Sequence, residues 1–266
     1  LAFDVRDTGP PGGEAVVLLH GFPQSAASWS QVAPDLAEAG FRVLAPDQRG
    51  YSPGARPTGR EAYRIDKLVG DVLALADAAG AERIHLVGHD WGGAVAWAVA
   101  AAHPDRLHSL TVLSTPHPKA FRQALTSSGQ ALRSYYMAFF QLPEVPERLL
   151  LARRGWLLKR QLQQMGLDAG LAAEHVGRML EPGALTAALN WYRAVRVRSI
   201  DDVHVPTLYI WSTKDAALGR RAAELTGEHV KAPYRFEVLD GVSHWIPEQR
   251  PHDVAKLLLD HIRRTA

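Results

Sequence analysis

Cysteine is absent from the sequence, which excludes disulfides, cysteine nucleophiles and thiolate metal sites together. An excess of charge is also missing. The formal net charge is +2, and the Lys and Arg residues are scattered rather than banded, so nucleic acid is not an expected partner. No apolar run approaches the ~20 residues that span a bilayer, so no membrane partner is expected. No secretory leader is visible in a chain that begins at Leu1 rather than Met, and a cytoplasmic location is the expectation that fits. Twelve histidines are present, yet none falls in H-E-x-x-H or another ligand spacing; neither a metal nor a cofactor is expected. What remains is a chain of 266 residues, 47% hydrophobic and 22% charged, long enough for one α/β domain with a substantial core, as a monomer or homodimer.

Short apolar, β-branched runs alternate with helical stretches at Ala15–Leu19, Phe41–Leu44, Ile84–Val87, Leu110–Leu113, Thr207–Trp211 and Phe236–Leu239. This alternation predicts a mostly parallel sheet flanked by helices, and Leu1–Asp7 adds a candidate edge strand. Between about His117 and Ser199 the alternation stops. That stretch carries amphipathic helical patterns broken at Pro143, Pro146, Gly166, Gly170 and Pro182, which predicts an all-helical lid inserted between two core strands. The expected division is a first core part over 1–116, the lid over 117–199 and a second core part over 200–266. The basic run Arg153, Arg154, Lys159, Arg160 reads as a solvated helix face.

Serine is missing from one informative position. Ile84-His85-Leu86-Val87-Gly88-His89-Asp90-Trp91-Gly92-Gly93 reads as strand, tight turn and helix, the layout of the G-x-S-x-G nucleophile elbow of α/β-hydrolases. Asp90 stands where the serine belongs. An aspartate carboxyl ordinarily titrates near ~3.9, so it is ionised at neutral pH and needs no base before it attacks. Attack on an ester carbonyl would give a mixed anhydride. Attack on an electrophilic sp3 carbon gives an ordinary alkyl ester that water can cleave at the enzyme's own carbonyl.

Cleaving that ester requires a base. His244, in Gly241-Val242-Ser243-His244 after the last strand, lies where a nucleophile–acid–histidine chain order places it. Asp215, just past the strand ending at Trp211, is the candidate orienting acid, with Asp201 and Asp202 as weaker rivals because they precede that strand. The competing reading of Asp215 is a helix N-cap for a segment starting at Ala216. Backbone donors for the oxyanion are expected from Trp91, directly after the nucleophile, and from Phe22 in the turn His20-Gly21-Phe22-Pro23.

Together these segments resemble the α/β-hydrolase fold epoxide hydrolase family, over most of the chain. His20-Gly21-Phe22-Pro23 is similar to the family's H-G-x-P motif and Gly88–Gly93 to its elbow. The resemblance implies a small-molecule epoxide and water as partners, a vicinal diol as product, and two lid tyrosines that protonate the opening ring oxygen. Asn190-Trp191-Tyr192-Arg193 resembles the second-tyrosine motif. Tyr136-Met137-Ala138-Phe139-Phe140-Gln141 resembles the family's Y-x-x-x-F-Q pattern, which favours Tyr136. Helical periodicity alone leaves Tyr135 open, because both tyrosines lie on apolar stripes. Elbow and turn are shared with haloalkane and fluoroacetate dehalogenases, the nearest alternative. The dehalogenases that resemble this chain carry Asn at the Phe22 position or Arg directly after the nucleophile, and neither occurs here. A non-catalytic ligand-binding protein on the same scaffold is the alternative from another class.

Overall fold

The computed structural model describes residues 1–195 and 200–265. Among them, seven strands form one sheet in the order β1-β3-β2-β4-β5-β6-β7: β1 (Val5–Thr8), β2 (Ala15–Leu19), β3 (Arg42–Pro46), β4 (Ile84–His89), β5 (Leu107–Leu113), β6 (Thr207–Ser212) and β7 (Tyr234–Leu239). Only β1 runs antiparallel, pairing Val5 with Pro46 and Thr8 with Val43 of β3. The other ladders are parallel, as in Leu18 opposite Val87 and Leu113 opposite Ile210. The edge strand expected from Leu1 to Asp7 begins instead at Val5, and Leu1 is exposed.

The run Ala15–Leu19 is buried along its whole length because the sheet is covered on both sides. Successive side chains point to opposite faces, so Val17 and Leu19 enter one core with Leu86, Val95, Trp97 and Val99. Val16 and Leu18 enter the other with Val43, Val87, Ile210, Val254 and Leu258. Helices α1 (Ala33–Glu38), α2 (Ile65–Ala78) and α3 (Trp91–Ala102) connect the first strands.

Between β5 and β6 the described residues form the helices α4 (Pro118–Ser127), α5 (Gln130–Arg133), α6 (Tyr135–Phe139), α7 (Val145–Gln164), α8 (Ala169–Met179) and α9 (Ala184–Ala194), followed by a single parallel bridge from Val203 to Val230. The lid's expected end at Ser199 lies outside the described residues. Three further helices complete the chain: α10 (Arg220–Leu225), α11 (Ile246–Gln249) and α12 (Pro251–Arg263).

Two of the expected helix breaks do not occur. Pro146 sits in the first turn of α7, where its missing N–H costs nothing, and Gly170 lies in the first turn of α8. There the Asp168 side chain caps the amides of Gly170 and Leu171, at 2.7 and 3.2 Å. The real interruption falls inside α7, where Arg153, Arg154 and Gly155 take φ of 50°, 55° and 75°. The basic run is therefore not one continuous helix face. Arg153 and Arg154 are exposed on left-handed backbone.

Candidate active site

Asp90 lies between the end of β4 and the start of α3, at φ 49° and ψ −119°. A non-glycine residue held there stores about 1–3 kcal/mol of backbone strain, which the surrounding contacts must over-determine. They do so by close packing. A Cβ on Gly92 would stand 2.3 Å from the carbonyl oxygen of Leu19, so only glycine lets α3 start this close to β2. The Thr115 hydroxyl donates to the Asp90 carbonyl at 2.6 Å and fixes the elbow from the β5 side. No sequence pattern singled out Thr115.

The two carboxylate oxygens of Asp90 have different partners. Oδ1 accepts the Phe22 amide at 2.8 Å, and Oδ2 lies 3.5 Å from His244 Nε2. Phe22 reaches its position because Gly21 passes directly over the nucleophile: a Cβ on Gly21 would stand 2.5 Å from Asp90 Oδ1. Trp91 is the first residue of α3, and its amide has no acceptor within the helix.

His244 follows β7 through a turn in which Gly241 takes φ 72°. Its Nδ1 lies 2.9 Å from Asp215 Oδ2, and both side chains are almost fully buried. Asp215 Oδ1 accepts the amides of Ala217 and Leu218, at 2.8 and 2.9 Å. The acid thus orients the histidine with one oxygen and caps its own loop with the other, although α10 begins only at Arg220. Asp202 is occupied elsewhere, 2.8 Å from Lys119 Nζ. The backbone carbonyl of Asp201 faces His117 Nε2, at 3.3 Å.

Burial works against a charged His244, but the carboxylates of Asp215 and Asp90 outweigh it and raise its pKa to about 10. Burial would likewise raise Asp90, yet its hydrogen bond and charge interaction with His244 hold it below the usual carboxylate value. The resting pair is a carboxylate beside an imidazolium. His20 and His89 behave differently. Burial lowers both, His20 to about 4, and they bond to backbone: His20 Nδ1 to the Gly21 carbonyl and His89 Nε2 to the His244 carbonyl, each at 2.9 Å.

Above the nucleophile lie aromatic side chains from the helical segment. Tyr192, on α9, is 5% exposed; its ring meets Trp91 at 4.9 Å, Phe140 at 4.9 Å and Phe22 at 5.4 Å. Tyr136, on α6, is half-buried, with its ring 6.1 Å from that of Tyr192. Tyr135 is 71% exposed and turned away. Burial, and after it the charge of Asp90, push the pKa of both phenols upward, so both hold their protons at neutral pH. Gln141, at the end of the Y-x-x-x-F-Q pattern, donates to the Tyr192 carbonyl at 3.0 Å and ties the two tyrosine segments together. The pattern contained Gln141, but nothing in it indicated this bond. Among the described residues no cluster of His, Asp and Glu is arranged to hold a metal ion, and no helix is long and apolar enough to cross a membrane.

A family model described as alpha/beta hydrolase fold matches residues 14–251. Epoxide hydrolase A of Mycobacterium tuberculosis is 33% identical over 97% of this chain and 93% of its own length. The chain belongs to the epoxide hydrolase family of the α/β-hydrolase fold. AB hydrolase superfamily protein YfhM of Bacillus subtilis is 38% identical to this chain, covering 99% of it and 95% of the relative. The crystal structure of a Bacillus megaterium epoxide hydrolase in complex with an inhibitor superposes with a TM-score of 0.88 at 25% identity, covering 98% of this chain and 96% of that one.

Proposed function

We propose that this family member hydrolyses epoxides to vicinal diols through a covalent ester on Asp90, with α4 to α9 acting as the lid over the site. The observation that carries the reading is the division of labour at the Asp90 carboxylate: Oδ1 is held by the Phe22 amide, and Oδ2 is left beside His244 under two protonated phenols.

In the first step Asp90 Oδ2 attacks an oxirane carbon. The carbon–oxygen bond of the ring breaks, its electron pair stays on the ring oxygen, and that oxygen takes a proton from Tyr136 or Tyr192. The phenol is restored at the expense of the His244 imidazolium, through solvent. Esterification removes the Asp90 charge, one of the two carboxylates that raise His244, so its pKa falls as it becomes the base. In the second step neutral His244, oriented by Asp215, takes a proton from water, and the hydroxide adds to the Asp90 carbonyl. Oδ1 becomes the oxyanion, already bonded to the Phe22 amide and within the reach expected of the Trp91 amide. Collapse breaks the bond between Asp90 Cγ and Oδ2. The diol alkoxide takes the proton of the added hydroxyl, Asp90 returns as carboxylate, and His244 is again an imidazolium.

Water oxygen therefore enters Asp90 and reaches the diol one turnover later. Multiple turnovers in isotopically labelled water should place label in the peptide containing Asp90, read by mass spectrometry. Diol formed without label in that peptide would rule out the ester. Halide released from haloalkanes or fluoroacetate, with no diol from any epoxide, would move the substrate class to the dehalogenases.

A further inference from the structure

The loop that carries the catalytic acid is gripped from outside by the helical segment. Gln130, on α5, is 1% exposed. Its Oε1 accepts the Gly219 amide at 2.8 Å, and its Nε2 donates to the Ala217 carbonyl at 2.8 Å. Exchanging the two ends of that amide would set carbonyl against carbonyl and N–H against N–H, so the side chain fits this loop in one orientation only. Arg133, one turn further on, donates from Nη1 to the carbonyls of Asp215 and Ala216, at 2.9 and 3.2 Å. Trp211 Nε1 donates to the Leu218 carbonyl at 2.9 Å, and Asp215 Oδ1 accepts the amides of Ala217 and Leu218 from within.

The second hydrogen of Gln130 Nε2 goes the other way, to the Ser134 hydroxyl at 3.0 Å. Ser134 is the residue on which α6 starts, and Tyr136 is the second residue of that helix. One amide nitrogen thus bridges the loop of the core acid and the helix of the candidate proton donor.

We propose that Gln130 and Arg133 are positioning residues that set the Asp215 loop and the Tyr136 helix in a single register, so that the triad and the phenol are placed by one shared contact. The proposal rests on the epoxide reading for its kinetics, though not for its geometry. Neither residue touches the reacting atoms. They act on placement, to which enzyme rates are sensitive: a displacement of about 1 Å can cost ~10²-fold.

The two half-reactions separate the arms. Gln130→Leu keeps the volume and removes all three bonds. In single-turnover experiments it should slow both ester formation and ester hydrolysis by about tenfold or more. Ser134→Ala cuts only the branch to α6 and should slow ester formation alone. Arg133→Met, at an exposed position, should slow hydrolysis alone and guards against a Gln130 variant that does not fold. Slowing of only one half-reaction in Gln130→Leu would overturn the shared register. A lower thermal midpoint with both rates at the wild-type level would reduce Gln130 to a structural residue.

NMR titration of His244 in the resting protein supplies an arm free of turnover. The charged or titratable groups facing that ring are Asp215, Asp90 and His89. A loosened Asp215 should move the His244 titration to lower pH in Gln130→Leu, and an unmoved titration would overturn the proposal. Wild-type protein that forms no ester with any epoxide, yet shows that shift in the variant, would refute the functional reading and leave the positioning intact.

Discussion

The carboxylate–histidine set of the core and the tyrosine pair above it are built by different means. Asp90, Asp215 and His244 stand on short connections after β4, β6 and β7, and backbone amides or buried charges fix their atoms at 2.8–2.9 Å. The rings of Tyr136 and Tyr192 are placed by aromatic contacts with centroids 4.9–6.1 Å apart, on helices tied down away from those rings by Gln141, by the Gln130–Ser134 bond and by Arg193 on Glu147. Charge placed by hydrogen bonds is intolerant of change, because an unpaired buried partner loses its compensation. Shape held by aromatic packing yields more gradually. A defect in the core should therefore arrest the cycle at one step, and a defect in the lid should scale a rate.

The sharpest way to break this contrast is His244→Gln. Ring opening should still proceed, while hydrolysis loses its base and falls by about 10²–10⁴-fold. Intact mass should show a stoichiometric adduct after exposure to an epoxide. A variant that turns over without accumulating adduct would remove His244 as the base.

Tyr192→Phe tests the lid. The ring loses its hydroxyl and keeps its contacts with Trp91, Phe140 and Phe22. Ester formation should slow by about 10²-fold, and any ester that forms should hydrolyse at the wild-type rate. Equal slowing of both steps would mean that the phenol also serves the core.

The pH dependence sharpens the comparison further. Ring opening needs ionised Asp90, whose pKa is depressed by His244, so kcat/KM should hold its plateau down through the ordinary carboxylate range. Hydrolysis needs neutral His244. In the ester the Asp90 charge is gone, so kcat limited by hydrolysis should rise with pH through a value below the about 10 of the resting enzyme. Stability runs the opposite way with pH. A histidine raised in the folded state stabilises it fully below its unfolded value near ~6.5, and that contribution is lost as pH climbs toward about 10. Denaturant midpoints at pH 7 and pH 10 should differ more in wild type than in His244→Gln.

The contrast also explains what could be read from the chain alone. The elbow is legible because steric demands write themselves as Gly88, Gly92 and Gly93 around one Asp, and the place of His244 beside it because that residue follows the last strand. The parallel strands are legible as unbroken apolar runs such as Val16 to Leu19, although Leu107 and Tyr234 begin their strands earlier than the apolar signal does. The lid resists such reading. Pro146 and Gly170 look like breaks and fall harmlessly in first turns, whereas the break at Arg153–Gly155 has no proline. Gln130 and Gln141 act through backbone groups distant in sequence, so spacing offers no clue to either.

The smallest expected effect lies between two adjacent tyrosines that periodicity does not separate. Tyr136 shares ring contacts with Tyr192 and Phe140, and the Asp90 field reaches its hydroxyl. Tyr135 contacts Tyr136 edge-on at 6.3 Å and is otherwise largely in solvent. Removing the hydroxyl from an exposed ring deletes no buried bond, so Tyr135→Phe should change ester formation by less than about twofold and stability by under ~0.5 kcal/mol. Tyr136→Phe should slow ester formation at least ~10-fold, because a proton donor to the ring oxygen is gone. If the two variants behaved alike, or in the reverse order, α6 would present its other face to the substrate, and the pairing of Tyr136 with Tyr192 above Asp90 would have to be abandoned.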